Sequence, residues 1–253
     1  MSIATPVVVS DLDAALKDPR WDALVLVTST IDSNIPAEIA AILANAKEAD
    51  ARLGEETCFY LASGLPGSRL VVAPTGPVNR DFDDVRRFGD ATQAGIKTAV
   101  AAGAKSPLLL VANVPETQDF SQALDVCYFS ASQALWQPLE AREALGEETV
   151  EPVSAIGIVD RSGDLSEQWL TAVESGRRVA RDLCGTEPER MAPPKFAEYC
   201  QQAFANTDVA VSVIDDMPTL ERDFPLLWAV ARASIEVERH QPRVIRLEYT
   251  PPG

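Results

Sequence analysis

Strand-length runs of consecutive apolar residues, separated by stretches with helical periodicity, constrain this chain more than any other feature of its sequence. Ala23–Thr28 and residues 108–112 are continuous rather than alternating in hydrophobicity, the pattern of strands buried on both faces. Residues 6–10, 57–62, Arg69–Pro74 and 153–159 read as further strands. Between them, Leu12–Lys17 has room for one or two helical turns. Residues 35–53 carry Ile39, Ile42, Leu43 and Ala46 at i, i+3, i+4, i+7 spacing, which predicts an amphipathic helix. A second long helix is expected over 81–102, with Val85, Phe88, Gly89, Thr92, Ile96 and Val100 along one stripe and Asp81, Asp83 and Asp84 complementing the dipole at its start. Residues 121–136 predict a third, and the acidic, glycine-containing stretch 139–152 reads as a loop or edge. Such alternation implies an α/β fold with right-handed crossovers and a mostly parallel sheet covered by helices.

From residue 164 the pattern restarts. Asp164 or Ser166 can cap a helix running through Trp169, Val173, Val179 and Leu183 to about Gly185. A turn-rich hinge, 186–194, leads to a helix over 195–204. Then come a strand, Val209–Ile214, a helix over 224–237 and a strand, Val244–Tyr249, which predict a βαβ start on a new sheet. The expected division is therefore a first domain over 1–163, linker helices over 164–206 and the beginning of a second α/β domain over 207–253. The closing Thr250-Pro251-Pro252-Gly253 follows directly on a strand, so the second domain reads as opened and incomplete.

Composition removes several function classes. No apolar run approaches the ~18–20 residues that cross a bilayer, and the opening Met1-Ser2-Ile3-Ala4-Thr5-Pro6 has no basic segment followed by an apolar one; a cytoplasmic location is expected, with no membrane partner. A net charge of −16 repels phosphate backbones, so no nucleic-acid partner is expected. The basic clusters Arg86-Arg87 and Arg177-Arg178 with Arg181 lie beside acids on helical segments and read as solvated faces. Cys58, Cys127, Cys184 and Cys200 form no C-x-x-C pair and are expected to be reduced, partly buried thiols.

Few residues could carry chemistry. Asp215-Asp216 follows the strand Val209–Ile214, where α/β proteins place functional loops, but adjacent acids point apart and capping of the next turn explains them at least as well. His240, the one histidine of the chain, has no second histidine or cysteine nearby to complete a zinc site. Gly64 to Gly67 and Gly76 are the nearest candidates for a phosphate cradle, and ordinary turns account for them better. No P-loop, G-x-G-x-x-G, G-x-S-x-G or H-E-x-x-H occurs. The residues alone thus predict a two-part α/β protein with no assigned catalytic, cofactor-binding or metal-binding residue.

Three blocks add a resemblance. Glu174-Ser175-Gly176-Arg177-Arg178-Val179-Ala180-Arg181-Asp182-Leu183, continuing through Cys184 to Ala197, resembles the linker of the leucyl aminopeptidase family, where an A-R-D-L helix leads through a turn into a T-P-x-x-F-A helix start. Phe224 to Ser234 is similar to that family's G-x-L-x-A-V-x-x-x-S helix, and Pro242-Arg243-Val244-Ile245-Arg246-Leu247-Glu248-Tyr249 to its P-R-x-I-x-L-E-Y strand. Cys184 to Arg190 replaces the usual asparagine-containing turn and Ala231-Arg232-Ala233 lacks the usual glycine, departures that resemble the divergent aminopeptidase branch of invertebrates.

The resemblance implies a macro-like N-terminal α/β sandwich, a linker helix and the start of the catalytic domain of a metallo-exopeptidase that releases N-terminal amino acids from peptides. It implies two divalent metal ions, zinc or manganese, that activate a bridging water and polarise the scissile carbonyl. The family's metal ligands lie on a G-K-G-x-x-F-D-S-G-G motif and a later N-x-x-D-A-E-G-R motif, neither of which occurs in this sequence. No catalytic or metal residue is carried over, and this chain alone is expected to be inactive. The implied assembly is a homohexamer, with peptide as substrate only in the presence of the missing C-terminal domain. The alternative is a non-catalytic macro-like binding module, or a subunit that organises or regulates oligomers.

Overall fold

The computed structural model of the chain describes residues 3–32 and 34–251; Met1, Ser2, Pro252 and Gly253, which figured in the reading of the two ends, lie outside the described residues. The chain forms two compact units, one of residues up to 137 with 141–176, the other of 138–140 with the residues from 177 on.

The first unit is built on a six-stranded sheet of β1 (Thr5–Val9), β2 (Ala23–Thr28), β3 (Cys58–Leu61), β4 (Arg69–Pro74), β5 (Pro107–Ala112) and β6 (Ala155–Val159), in the order β1-β6-β5-β2-β4-β3. All neighbours pair in parallel except β3 with β4. All six residues of β2 are buried, as a central strand covered on both faces requires. Side chains alternate between faces. Val25 and Val27 join a core with Phe88, Ile96, Cys127 and Tyr128, from the helices α3 (Arg86–Ala101) and α4 (Ala123–Leu135). Leu24 and Leu26 join a second core with Leu12, Leu16, Ile39 and Leu43, from α1 (Leu12–Lys17) and α2 (Ala37–Ala49). Each fully buried side chain of this kind contributes ~1.5–3 kcal/mol.

Helix α3 lies unusually close to the sheet, because Gly95 presents no side chain there. A Cβ on Gly95 would come within 2.7 Å of Val25 Cγ1 and 3.0 Å of Ala73 Cβ. At the amino ends of the strands, Asp22 acts as a clasp. Its carboxylate accepts from the amides of Lys105 (2.7 Å) and Ser106 (3.0 Å), and its carbonyl accepts from Arg69 Nη1 (2.9 Å), whose Nε donates to the Ala102 carbonyl.

The elements differ from the sequence reading in places that have local causes. Helix α2 starts after Pro36 and stops at Asp50, whose carboxylate turns back onto the amide and guanidinium of Arg52. Helix α3 starts at Arg86 rather than near Asp81, since Asp83 closes a turn on the Arg80 amide and side chain and Asp84 on the Arg86 amide; these acids bind arginines before the helix instead of sitting within its first turn. The segment 139–152 is not a loop or edge: it forms α5 (Leu139–Leu145) and α6 (Glu147–Val150), separated by Gly146 at φ 85°.

Helix α7 (Glu167–Gly185) begins with Ser166, whose Oγ accepts from the Trp169 amide at 3.2 Å. It is followed by α8 (Pro193–Phe204). The second unit then contains β7 (Val209–Ile214), α9 (Met217–Asp223), α10 (Pro225–Ala231) and β8 (Val244–Tyr249). The helix expected over 224–237 is the shorter α10, which ends at Ala231, and α9 precedes it where no helix was expected; the expected βαβ crossover is absent, because β7 and β8 pair antiparallel with Ile214 opposite Val244. Strand β8 therefore begins beside the end of β7. No residue of β7 or β8 is buried, and Leu247 and Tyr249 are exposed.

Candidate functional site

The residues singled out in the sequence do not come together. Among the described residues, no three His, Cys, Asp or Glu side chains are grouped so as to hold a metal ion. Asp216 caps α9, accepting from the Thr219 amide at 3.0 Å, and hydrogen bonding from the Thr219 side chain, followed by that amide, holds its carboxyl below the usual value. His240 Nε2 lies 2.8 Å from Glu189, whose other oxygen takes Arg239. Cys58, Cys127 and Cys200 are buried and Cys184 is exposed; all four are free thiols. Burial pushes the Cys127 thiol up to about 12, so it is protonated and unreactive.

The glycines of the 64–67 turn have different structural reasons: Gly64 adopts φ 92° in open space, as the turn requires, and Gly67 is needed for packing. Gly67 has φ 57° and stands against Asp22, where a Cβ would fall 2.0 Å from the carbonyl oxygen. The reading of the arginine clusters as solvated faces holds for Arg86, paired with Asp84, and for the exposed Arg177, but not for Arg178, which is buried. The reason is spacing: Glu174, Arg178 and Asp182 recur every four residues on the buried face of α7, acid, base, acid. Asp182 accepts from the Tyr199 hydroxyl at 2.6 Å.

What sequence reasoning missed is a crevice at the carboxyl ends of the parallel strands. Its volume is about 370 Å³, and its walls come from the loops that follow β2, β5 and β6. Asn113 ties two of these loops together in a left-handed conformation, φ 54°. Its Nδ2 donates to the Thr30 carbonyl (2.8 Å) and Asp32 (3.0 Å), its Oδ1 accepts from Asn34 (3.2 Å), and its carbonyl accepts from Ser29 Oγ (2.6 Å). Asp160, at the end of β6, accepts from the Ser162 amide and hydroxyl and the Leu165 amide. Burial opposes its ionisation, but these hydrogen bonds prevail and keep its carboxyl below the ordinary value. Asparagine directly after an apolar strand was the signal available in the sequence. Its partners, about eighty residues away, were not legible.

The model of the cytosol aminopeptidase family catalytic domain matches residues 178–253. The Caenorhabditis elegans protein named "Putative aminopeptidase W07G4.4" is 42% identical over 194 residues, covering 76% of this chain and 36% of its own length. This chain is a relative of the cytosol, or leucyl, aminopeptidases. Among solved structures, the apo leucyl aminopeptidase of Trypanosoma brucei shares the fold of such an aminopeptidase with it at a TM-score of 0.73 and 17% identity, over 99% of this chain and 51% of that one. The bottromycin maturation enzyme BotP, solved in complex with Mn, aligns at a TM-score of 0.61 and 18% identity, over 91% of this chain and 46% of its own. The chain thus spans about a third of the worm aminopeptidase relative and about half of these solved chains. The fold class expected from the sequence, mixed α/β with a mostly parallel sheet, is the observed one.

Proposed function

We propose that this chain is the N-terminal portion of a leucyl-aminopeptidase-type metallo-exopeptidase, which releases N-terminal amino acids from peptides with two divalent metal ions, manganese or zinc. The reading is supported by the exposure of the strands within the segment that matches the catalytic domain, residues 178–253: β7 and β8 bury none of their residues. A two-stranded sheet of this kind is not independently stable and calls for further strands or helices against it.

The residues present do not fit the implied metals, since no grouping of ligands occurs among those described. No catalytic step is therefore assigned to them. Their part is structural: residues 1–163 supply a macro-like domain, 164–206 the linker helices, and 207–253 the first strands of the catalytic-type sheet. The reading extends to a cytoplasmic homohexamer. No described helix is long and apolar enough to cross a membrane.

The test is the mass of the native polypeptide together with its release of leucine from a leucyl-peptide substrate, without added metal and with added manganese or zinc. A species near twice the 27.3 kDa of this chain, with metal-dependent release, is expected. Metal-dependent release by the 253-residue chain alone, or a longer native species that hydrolyses nothing with either metal, would overturn the proposal.

A further inference from the structure

The two edges of the six-stranded sheet are finished differently. On β1, the Thr5 amide donates to the Ser154 carbonyl and the Val9 carbonyl accepts from the Asp160 amide. Residues 5, 7 and 9 therefore turn their backbone groups to β6, and Pro6 and Val8 turn theirs outward. Pro6 has no N–H to offer, and the Val8 amide donates to Glu167 at 2.7 Å. Neither outward position leaves a free donor, which guards this edge against pairing with another chain.

The β3 edge has no such guard. The Ala62 amide donates to the Ser68 carbonyl at 2.9 Å, in register with the antiparallel pairing of β3 and β4. Cys58, Tyr60 and Ala62 thus turn their backbone groups to β4, and Phe59 and Leu61 turn theirs away. Those outward N–H and C=O groups find no partner among the described residues. The Phe59 and Leu61 side chains share one face of the sheet and are exposed, by 42% and 81%. Residues 57–68 carry no charge, in a chain whose net charge is −16, so this edge lacks the lysines and acids that ordinarily repel a second strand.

The sequence of the strand is complementary to itself. Thr57-Cys58-Phe59-Tyr60-Leu61-Ala62-Ser63 is symmetric in character about Tyr60, with hydroxyl residues outermost, then small ones, then large apolar ones. A second copy laid antiparallel about a two-fold axis at Tyr60 sets Phe59 opposite Leu61, Cys58 opposite Ala62 and Tyr60 opposite its own counterpart. In that register every outward N–H and C=O of Phe59 and Leu61 meets a partner, and large apolar side chains meet across the strands. We propose that β3 is a homodimerisation edge, at which two copies of this chain join their sheets into one. The guarded β1 edge cannot complete a ladder with β3 of another copy, so the contact closes as an isologous pair instead of propagating as a filament. With only four strand residues from each copy, the interface belongs to the small, transient class. The inference concerns the first unit alone and does not rest on the peptidase reading.

The experiment is sedimentation velocity of the 253-residue chain from ~10 µM to ~1 mM, the range in which a small interface dissociates. The mass should climb from 27.3 kDa toward twice that value. Leu61→Lys, which places a charge on the exposed edge, should weaken the dimer by about tenfold or more. Leu226→Glu with Val230→Glu, on the exposed face of α10, should leave it unchanged. Cysteines read the register. In a Cys184→Ser background, which removes the exposed thiol, Tyr60→Cys should give a disulfide-linked dimer on mild oxidation, because it faces its own counterpart at a non-hydrogen-bonded position, where side chains lie closest. Leu61→Cys, set opposite Phe59, should not. A chain that stays monomeric at ~1 mM, a dimer indifferent to Leu61→Lys or dissolved by the α10 pair, or faster crosslinking at position 61 than at 60 would each overturn the proposal.

Discussion

Substituting alanine for glycine should change stability in opposite directions at two helical positions of the first unit. In α3, Gly95 faces Val25 and Ala73; in α7, Gly176 has nothing within 4 Å of where a Cβ would sit. Both substitutions gain the helix preference of alanine, about 0.8–1 kcal/mol. At Gly176 nothing opposes that gain, so Gly176→Ala should stabilise by up to about 1 kcal/mol. At Gly95 the new methyl lies 2.7 Å from a Val25 methyl and 3.0 Å from the Ala73 Cβ, both on central strands and stiff. Overpacking of this kind costs about 1–3 kcal/mol, so Gly95→Ala should destabilise by about 1 kcal/mol net. A domain of this size then shifts its midpoint by about 2–4 °C for each kcal/mol. Urea unfolding followed by circular dichroism, with both variants beside the parent, measures the difference. If both variants move the same way by similar amounts, the close approach of α3 to the sheet is wrong.

Ellman's reagent on the native chain should modify Cys184 promptly and reach Cys58, Cys127 and Cys200 only after unfolding, given their burial; four fast thiols would contradict the packing. Asp83, held at about 2 by hydrogen bonds from Arg80, contributes stability that is complete above its unfolded value near 3.8 and is lost as pH falls from there toward 2. Asp83→Asn should therefore flatten the acid limb of an unfolding-versus-pH curve over that interval, and an unchanged limb would count against the Arg80 clamp. The double substitution Leu226→Glu with Val230→Glu should alter the stability of the 253-residue chain by no more than ~0.5 kcal/mol, since both side chains are largely exposed on α10. In the longer polypeptide proposed above, the same pair should impair assembly or leucine release; full activity would show that this face stays uncovered.

Much of the first unit could be read from its sequence because local and global preferences agree there. Ala23–Thr28 and Arg69–Pro74 have the predicted bounds, since a continuous apolar run of five residues, 23–27 and 70–74, suits a buried strand. Leu12–Lys17 does so as well, with Asp11 capping it. Legibility failed where acids had two uses. Asp50, Asp83 and Asp84 resemble helix-terminal residues in sequence but are spent on adjacent arginines, which moves each boundary inward. It failed again at β8, whose strand character is local but whose direction depends on its pairing with β7. The crevice was the least legible feature, because it consists of contacts between loops distant in sequence, such as Asn113 with Thr30 and Asp32.

The Asp22 clasp divides the labour between the two ends of the sheet. One residue fastens the segments around Arg69, Ala102 and Lys105 at the amino end, so the strand framework closes without help from the opposite loops. Those loops can then be lengthened, shortened or exchanged with little risk of unravelling the framework. For protein engineering, the strand-end crevice is accordingly a graftable surface, whereas Asp22 and the glycine turn beside it tolerate almost no redesign.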